Sequence, residues 1–195
     1  MQLVWQLQNM LASIALKRFR GLVHLFQLGS PAALRADMDR SDCIISGSAA
    51  LFIFHPTTFI PNDIDFYLPI ANAIHFEYAL FRRGFTEIVD NSSRVPYRGD
   101  SIVTVVRLRK PGMSRTINVI TTRDLNPLAA VVEFHSTLVM NAVMADGVVS
   151  LYPLLTLAGR GITTTNDASS KRRRHFLTQK FGHFLWQLKR VDTTA

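Results

Sequence analysis

Asp63 and Asp65 are the residues whose types and spacing best suit chemistry in this chain. They lie in the apolar segment Asp63–Leu68, which predicts a strand. Because side chains in a strand alternate between its two faces, both carboxylates point to one side while the apolar residues point to a core. Two neighbouring carboxylates repel each other, and the pair is tolerated if the site is well solvated or if a cation lies between them. Mg²⁺ typically binds one or two carboxylates together with substrate phosphates, so the pair predicts a Mg²⁺ site.

Gly47 and Ser48 stand upstream, between a strand predicted at Cys43–Ser46 and a short helix predicted at Ala49–Phe54. Glycine lets the backbone approach a ligand closely. The free amides at a helix start bind phosphate, and the Ser48 hydroxyl suits the same ligand. A phosphate site beside metal-binding carboxylates predicts phosphoryl or nucleotidyl transfer.

The order of these features resembles the signature of the polymerase-β-type nucleotidyltransferase superfamily: an apolar strand, Gly-Ser, a helix, and a strand with Asp-x-Asp. Gly47, Ser48, Asp63 and Asp65 occupy those positions. The segment PNDIDFYLP is similar to uncharacterised fungal nucleotidyltransferase-like proteins. The resemblance implies an α+β fold whose mixed sheet carries helices on one face. It also implies Mg²⁺ on the two aspartates and a nucleoside triphosphate on Gly47 and Ser48.

Proteins of this superfamily carry a third carboxylate on a later strand, and this chain departs from that pattern. The matching strand is Arg115–Thr121, whose central polar residue is Asn118. An amide can lend a metal one neutral oxygen, but it adds no charge and cannot deprotonate an attacking hydroxyl. Asp100, Asp124 and Glu133 are the alternative third carboxylates.

Three functions therefore stay open. The first is a nucleotidyltransferase that moves a nucleotidyl group onto a hydroxyl of RNA, protein or a small molecule. The second, favoured by Asn118, is a catalytically degenerate module of the same fold that binds nucleic acid or a protein through a basic face. The third is a structural or interaction protein without a nucleotide site.

Further patterns predict the rest of the core. Pro69–Arg83 reads as a helix that ends at Gly84 and carries Ile70, Ile74 and Phe81 on one side. Two strands are predicted after it, at Phe85–Val89 and Ile102–Arg109. The whole chain divides into a helical segment (1–40), a nucleotidyltransferase-like core (41–125) and an extension packed on that core (126–195).

The extension is predicted to contain a helix from Asn126-Pro127 through Phe134, then a hairpin, then a second helix; one long helix in place of the first helix and hairpin is the alternative. Asp146 and Gly147 lie between two apolar runs and are a hairpin turn signal. Farther on, five apolar residues recur at helical spacing and predict an amphipathic helix. They are Leu177, Phe181, Phe184, Leu185 and Leu188.

The basic balance of the chain favours anionic partners. It has 22 Lys and Arg against 14 Asp and Glu, a formal net charge of +8, which suits nucleic acid, nucleotides or an anionic membrane. Four consecutive basic residues precede the C-terminal stripe: Lys171, Arg172, Arg173 and Arg174. Because they oppose the dipole of a helix that starts there, helix stability does not explain them. Nucleic-acid contact, a nuclear import signal and a solvated patch remain the interpretations.

Arg107 and Arg109 share one face of their predicted strand. They are predicted either to contact phosphate or to lie on the sheet surface without a ligand.

The single cysteine, Cys43, cannot form an internal disulfide and fits a buried thiol in a reducing compartment. No apolar run reaches transmembrane length without a polar break, and the first residues lack the order of a signal peptide. An intracellular protein, cytoplasmic or nuclear, is the expectation.

Overall fold

The computed structural model describes residues 2–56, 59–90, 101–163 and 184–187, which form a mixed α+β structure. The helices are α1 (Gln2–Leu25), α2 (Pro31–Arg40), α3 (Gly47–Phe54), α4 (Ala73–Arg82), α5 (Leu128–Val131) and α6 (Pro153–Leu157), with 3₁₀ turns at Ile70–Asn72 and Thr137–Val139. The strands are β1 (Ile44–Ser46), β2 (Asp63–Pro69), β3 (Glu87–Asp90), β4 (Ile102–Arg109), β5 (Thr116–Thr122), β6 (Asn141–Val143), β7 (Gly147–Ser150) and β8 (Phe184–Gln187).

All eight strands belong to one sheet, in the order β3-β4-β5-β2-β1-β6-β7-β8. The central pair, β2 and β5, is parallel, and every other neighbouring pair is antiparallel. The predicted strands of the core are confirmed, with bounds that differ by one or two residues. The sheet is therefore mixed, as expected, and its parallel pair lies where the candidate site residues are.

One face of the sheet packs against the four longest helices. Ile64, Phe66 and Leu68 of β2 point to this side, as their alternation predicts, and are fully buried. The ring of Phe66 lies 4.9 Å from that of Phe76 on α4, measured between centroids. Cys43 is buried in the same core, and burial raises the pKa of its thiol. The predicted burial of this cysteine is confirmed.

The opposite face is also covered, which corrects the expectation of helices on one face only. Tyr67 and Ile120 lie on this side in a second buried cluster, whose other walls come from α5, α6 and the segment around the 3₁₀ turn at 137–139. The ring centroid of Tyr67 is 5.7 Å from that of Phe134. Short helices cover this face because its central strands also carry large apolar side chains there.

Helix α4 confirms the predicted helix but not its packing side. Phe76 and Leu80 enter the core, whereas Ile70, Ile74 and Phe81 are solvent-exposed, Ile74 by 79%. Both sides of the helix are apolar, so periodicity alone could not distinguish the buried one. Gly84 ends the helix region with φ +90°, in the left-handed region that glycine favours.

The extension contains the predicted hairpin, formed by β6 and β7 around Asp146 and Gly147. The predicted C-terminal helix is wrong at Phe184–Gln187, which pairs with β7 as strand β8. The edge of β7 that β6 does not occupy offers backbone hydrogen-bonding groups to β8. This partner is distant in sequence, so the local helical spacing does not reveal it. Leu177, Phe181 and Leu188 lie outside the described residues, as do Lys171–Arg174.

Helix α1 is the longest helix, with 24 residues, and it packs through its second half. Phe19, Leu22 and Val23 are buried in the first core. Met10 and Ile14 remain exposed. Within the described ranges, no helix is both long and apolar enough to cross a membrane.

Candidate functional site

The pairing register of the three central strands brings the predicted site residues together. Asp65 on β2 lies opposite Ser46 on β1 and opposite Asn118 on β5. Asn118 in turn lies opposite Arg107 on β4. Since directly opposite residues place their side chains about 5 Å apart, four adjacent strands contribute to one small area.

The side chains of Asp63, Asp65 and Asn118 converge, as predicted. The Asn118 Nδ2 donates to an Asp65 carboxylate oxygen at 2.7 Å and to an Asp63 carboxylate oxygen at 3.3 Å. Asn118 is buried, while both aspartates are partly exposed. The two carboxylates can therefore reach one common atom from the same side of the sheet.

Arg107 fixes which end of the Asn118 amide faces the carboxylates. Its Nε–H donates to the Asn118 Oδ1 at 3.0 Å. Because an arginine can only donate, its partner must be the amide oxygen, which turns the NH₂ group towards the aspartates. This orientation differs from the expectation of an amide oxygen available to a metal: the group between the carboxylates is a hydrogen-bond donor.

The electrostatics of Asp65 reflect an incompletely compensated charge. Burial raises its pKa to about 6, and the negative charge of Asp63 acts in the same direction. The hydrogen bond from Asn118 and the positive charge of Arg107 lower it, but not enough to restore the ordinary value. A neutral amide and one arginine thus stabilise the Asp65 carboxylate only in part, which is typical of functional sites.

Gly47 places the start of α3 directly against Asp65. Its φ is +70°, and a Cβ at this position would lie 2.8 Å from the Asp65 Oδ2. The Ser46 side chain does not cap the helix, because its hydroxyl donates to the Asn141 carbonyl oxygen at 2.6 Å. The first turn of α3, which includes Ser48, thus lacks a side-chain cap at the carboxylate site, an arrangement suited to a phosphate.

This donor set fits one Mg²⁺ that takes its remaining ligands from a phosphate substrate. Two carboxylates reach a common atom, as a shared ion requires. The set does not fit a site of three protein carboxylates: within the described residues, no group of three His, Cys, Asp or Glu could hold a metal.

The alternative third carboxylates do not complete the site within the described ranges. Asp124 follows the far end of β5, whose last residue, Thr122, is already about 13 Å along the strand from Asn118. The Glu133 carboxylate accepts from the Ser101 hydroxyl at 2.9 Å. Asp100 lies outside the described residues. The positions of Asp124 and Glu133 agree with Asn118 being the residue that stands beside the two aspartates.

Arg109 pairs with Glu87 instead of joining this cluster. The Arg109 Nε donates to the Glu87 carboxylate on β3 at 2.9 Å, and a second guanidinium nitrogen lies 2.8 Å from the same oxygen. Its predicted contact with a nucleotide stays a prediction. The same holds for Lys171–Arg174, which lie outside the described residues.

A separate charged cluster between α2 and α4 was not anticipated from the sequence. Asp37 accepts hydrogen bonds from Arg40 and Arg83, beside a cavity of about 750 Å³ whose lining also includes His75 and Tyr78. The three-residue spacing of Asp37 and Arg40 on a helix was the one local signal for this pair. The cavity shares no lining residue with the carboxylate site.

Comparison with known proteins leaves the family open. No protein-family model matches the chain. A search of curated proteins also found no match. The resemblance to nucleotidyltransferases therefore rests on the sequence motif of Gly47, Ser48, Asp63 and Asp65.

Proposed function

We propose that this protein is nucleotidyltransferase-like and binds Mg²⁺ with a nucleoside triphosphate. The proposal rests on one observation. The carboxylates of Asp63 and Asp65 accept hydrogen bonds from the same atom, the Asn118 Nδ2, and the start of α3 lies beside Asp65. The mixed sheet supports it, since the antiparallel β1–β2 pair places Ser46, the residue before Gly47, opposite Asp65, and the parallel β2–β5 pair places Asn118 opposite Asp65.

Each site residue has a role that follows from its position. Asp63 and Asp65 would hold the metal, which would supply charge neutralisation at the phosphates. Because Gly47 has no side chain, the start of α3 can lie against Asp65. Ser48 and the first amides of the helix would bind phosphate oxygens. Because burial raises the pKa of Asp65 to about 6, the ligand should bind better above pH 6, where this carboxylate is ionised.

The second candidate is a catalytically degenerate module of the same fold. Asn118 favours it, because this residue offers hydrogen atoms to both carboxylates and cannot accept a proton from an acceptor hydroxyl. Such a module would bind nucleic acid or a protein partner through a basic face, for which Lys171–Arg174 are the sequence candidates.

Titration calorimetry tests the proposed ligand. We expect Mg²⁺ alone to bind weakly, and Mg²⁺ with a non-hydrolysable triphosphate nucleotide to bind well. Asp63→Ala and Asp65→Ala should abolish that binding, whereas the matched control Asp39→Ala on α2 should not. The proposal is wrong if both site variants retain the wild-type affinity for the nucleotide.

A nucleotide incorporation assay separates the two candidates. If the protein is degenerate, the wild type should incorporate little nucleotide and Asn118→Asp should raise incorporation, because a third carboxylate can assist deprotonation of the acceptor. An active wild type with a neutral Asn118→Asp variant would instead favour the transferase. Asp100, which lies outside the described residues, would then be the first carboxylate to test.

A further inference from the structure

Every polar group of the Asn118 amide is engaged in the carboxylate site. The Nδ2 donates to Asp63 and Asp65, and the Oδ1 accepts from the Arg107 Nε. Because Asn118 is buried, each of these hydrogen bonds is expensive to lose. The amide therefore has one satisfied orientation, in which its NH₂ group stands between the carboxylates.

We propose that Arg107 is a positioning residue that, through Asn118, makes the carboxylate site favour a metal–polyphosphate complex over free metal. For Asn118 to offer an oxygen beside the aspartates, its amide must rotate by half a turn. That rotation would turn its NH₂ group towards the guanidinium of Arg107, donor against donor. Arg107 must therefore release Asn118 before the amide can act as a ligand.

Breaking the hydrogen bond between Arg107 and Asn118 would couple the binding of the metal to the binding of the phosphate. A guanidinium freed from Asn118 stays beside the carboxylates and can donate charge-assisted hydrogen bonds to phosphate. Free metal would rotate the Asn118 amide and leave the Arg107 guanidinium without a hydrogen-bond acceptor. A metal–phosphate complex would bind the amide oxygen through the metal and the guanidinium through the phosphate. By linkage, phosphate then strengthens metal binding as much as metal strengthens phosphate binding. This inference rests on the proposed function and specifies the form of ligand that the same site selects.

A double-mutant cycle measured by calorimetry tests the inference. Arg107→Met should tighten the binding of Mg²⁺ alone by about tenfold, the size expected for one hydrogen bond to a charged group. The same variant should weaken the binding of Mg²⁺ with a non-hydrolysable triphosphate nucleotide. The gain for Mg²⁺ alone should shrink when Asn118→Ala is also present, because the part that Arg107 exerts through that amide is then lost.

Two further variants exclude simpler explanations. Arg35→Met removes an arginine from α2, whose Nε donates to the Ala145 carbonyl oxygen, and should leave both affinities unchanged. Arg107→Lys keeps the positive charge but loses the Nε donor, and it replaces Arg107→Met in the cycle if the methionine variant does not fold. An equal gain for Mg²⁺ in the wild-type and Asn118→Ala backgrounds would mean that Arg107 acts by charge alone, which overturns the inference.

The outcomes separate the inference from the proposed function. If the wild type binds Mg²⁺ with nucleotide but the cycle shows no coupling, the positioning role of Arg107 is wrong and the proposed ligand stands. If no variant binds Mg²⁺ with or without nucleotide, both are wrong. A coupling of about tenfold between Arg107 and Asn118 in the binding of Mg²⁺ alone supports both the positioning role and the proposed ligand.

Discussion

Asp65 and Asp37 are both partly buried and hydrogen-bonded, yet their surroundings shift their pKa values in opposite directions. Burial alone would raise the pKa of Asp37, but the hydrogen bonds and charges of Arg83 and Arg40 outweigh it, so that its pKa is lowered. Asp65 has a neutral amide and a second carboxylate as neighbours, and its pKa is raised to about 6. One aspartate is stabilised as an anion, and the other is not.

The difference separates a structural ion pair from a candidate ligand site. Arg83 holds Asp37 and also donates to the carbonyl oxygens of Leu28 and Ala79, at 2.9 and 2.8 Å. This network ties α2 to α4 and needs no further charge. Among the described residues, the arginine whose charge acts on Asp65 is Arg107, and its hydrogen bond runs to Asn118. A bound cation would supply the positive charge that is missing there.

The largest effect on the site should come from Gly47→Ala. The new Cβ would meet the Asp65 Oδ2 at 2.8 Å and adopt a φ of +70°, so we expect a loss of about 3 kcal/mol in the free energy of unfolding and loss of nucleotide binding. Gly112→Ala is the control, since its φ is +78° with no atom within 4 Å. It should lose only about 1 kcal/mol. Equal losses in urea denaturation would show that Asp65 does not crowd Gly47.

Replacing Asp65 should stabilise the protein at neutral pH. Its folded pKa, about 6, lies above the ordinary value of 3.8, so its ionisation lowers stability as the pH rises between those values. Asp65→Asn should therefore be about 2 kcal/mol more stable than the wild type at pH 7 and close to it at pH 4. Urea denaturation at several pH values measures this difference. A variant less stable than the wild type at pH 7 would show that Asp65 is a structural anion.

Asp37→Asn should give the opposite pH dependence. The folded pKa of Asp37 is lowered from 3.8, so its contribution to stability is present above that pH and is lost as the pH falls through the folded pKa. We expect a loss of about 1 to 2 kcal/mol at pH 7 that shrinks below pH 4. Nucleotide affinity should stay at the wild-type value. A fall in that affinity would place the ligand near the α2–α4 cavity instead.

The smallest effect is expected for Arg109→Met. Its guanidinium and the Glu87 carboxylate form an ion pair in which the side chains are 41% and 40% exposed. Such exposed pairs contribute between about 0 and 1 kcal/mol, so thermal unfolding should change little. Because Arg109 is engaged with Glu87, we expect calorimetry to find nucleotide affinity within about twofold of the wild type. A tenfold loss would support the nucleotide role predicted from the sequence.

Much of the core could be predicted because its signals are local. Alternation along β2 placed Asp63 and Asp65 on one face and Phe66 on the other, and Gly47 marked the junction between β1 and α3. The match of Asn118 to its strand also predicted that it would lie beside the aspartates. These features depend on periodicity and on backbone conformations that few residues adopt.

The features that were missed depend on distant partners. The orientation of the Asn118 amide is set by Arg107, on a neighbouring strand. The β-bulge between Ile102 and Thr104 moves Ile102 into the second core, against the alternation expected for β4. Phe184–Gln187 forms a strand because it pairs with the edge of β7 that β6 does not occupy, although its residues also fit helical spacing. Local patterns do not contain this information.

A crystal structure of the protein with Mg²⁺ and a non-hydrolysable triphosphate nucleotide tests the central claim most directly. We predict metal density between the Asp63 and Asp65 carboxylates, with phosphates at the first turn of α3 beside Gly47 and Ser48. A nucleotide bound only in the cavity between α2 and α4, or carboxylates still held by the Asn118 amide under saturating ligand, would contradict it.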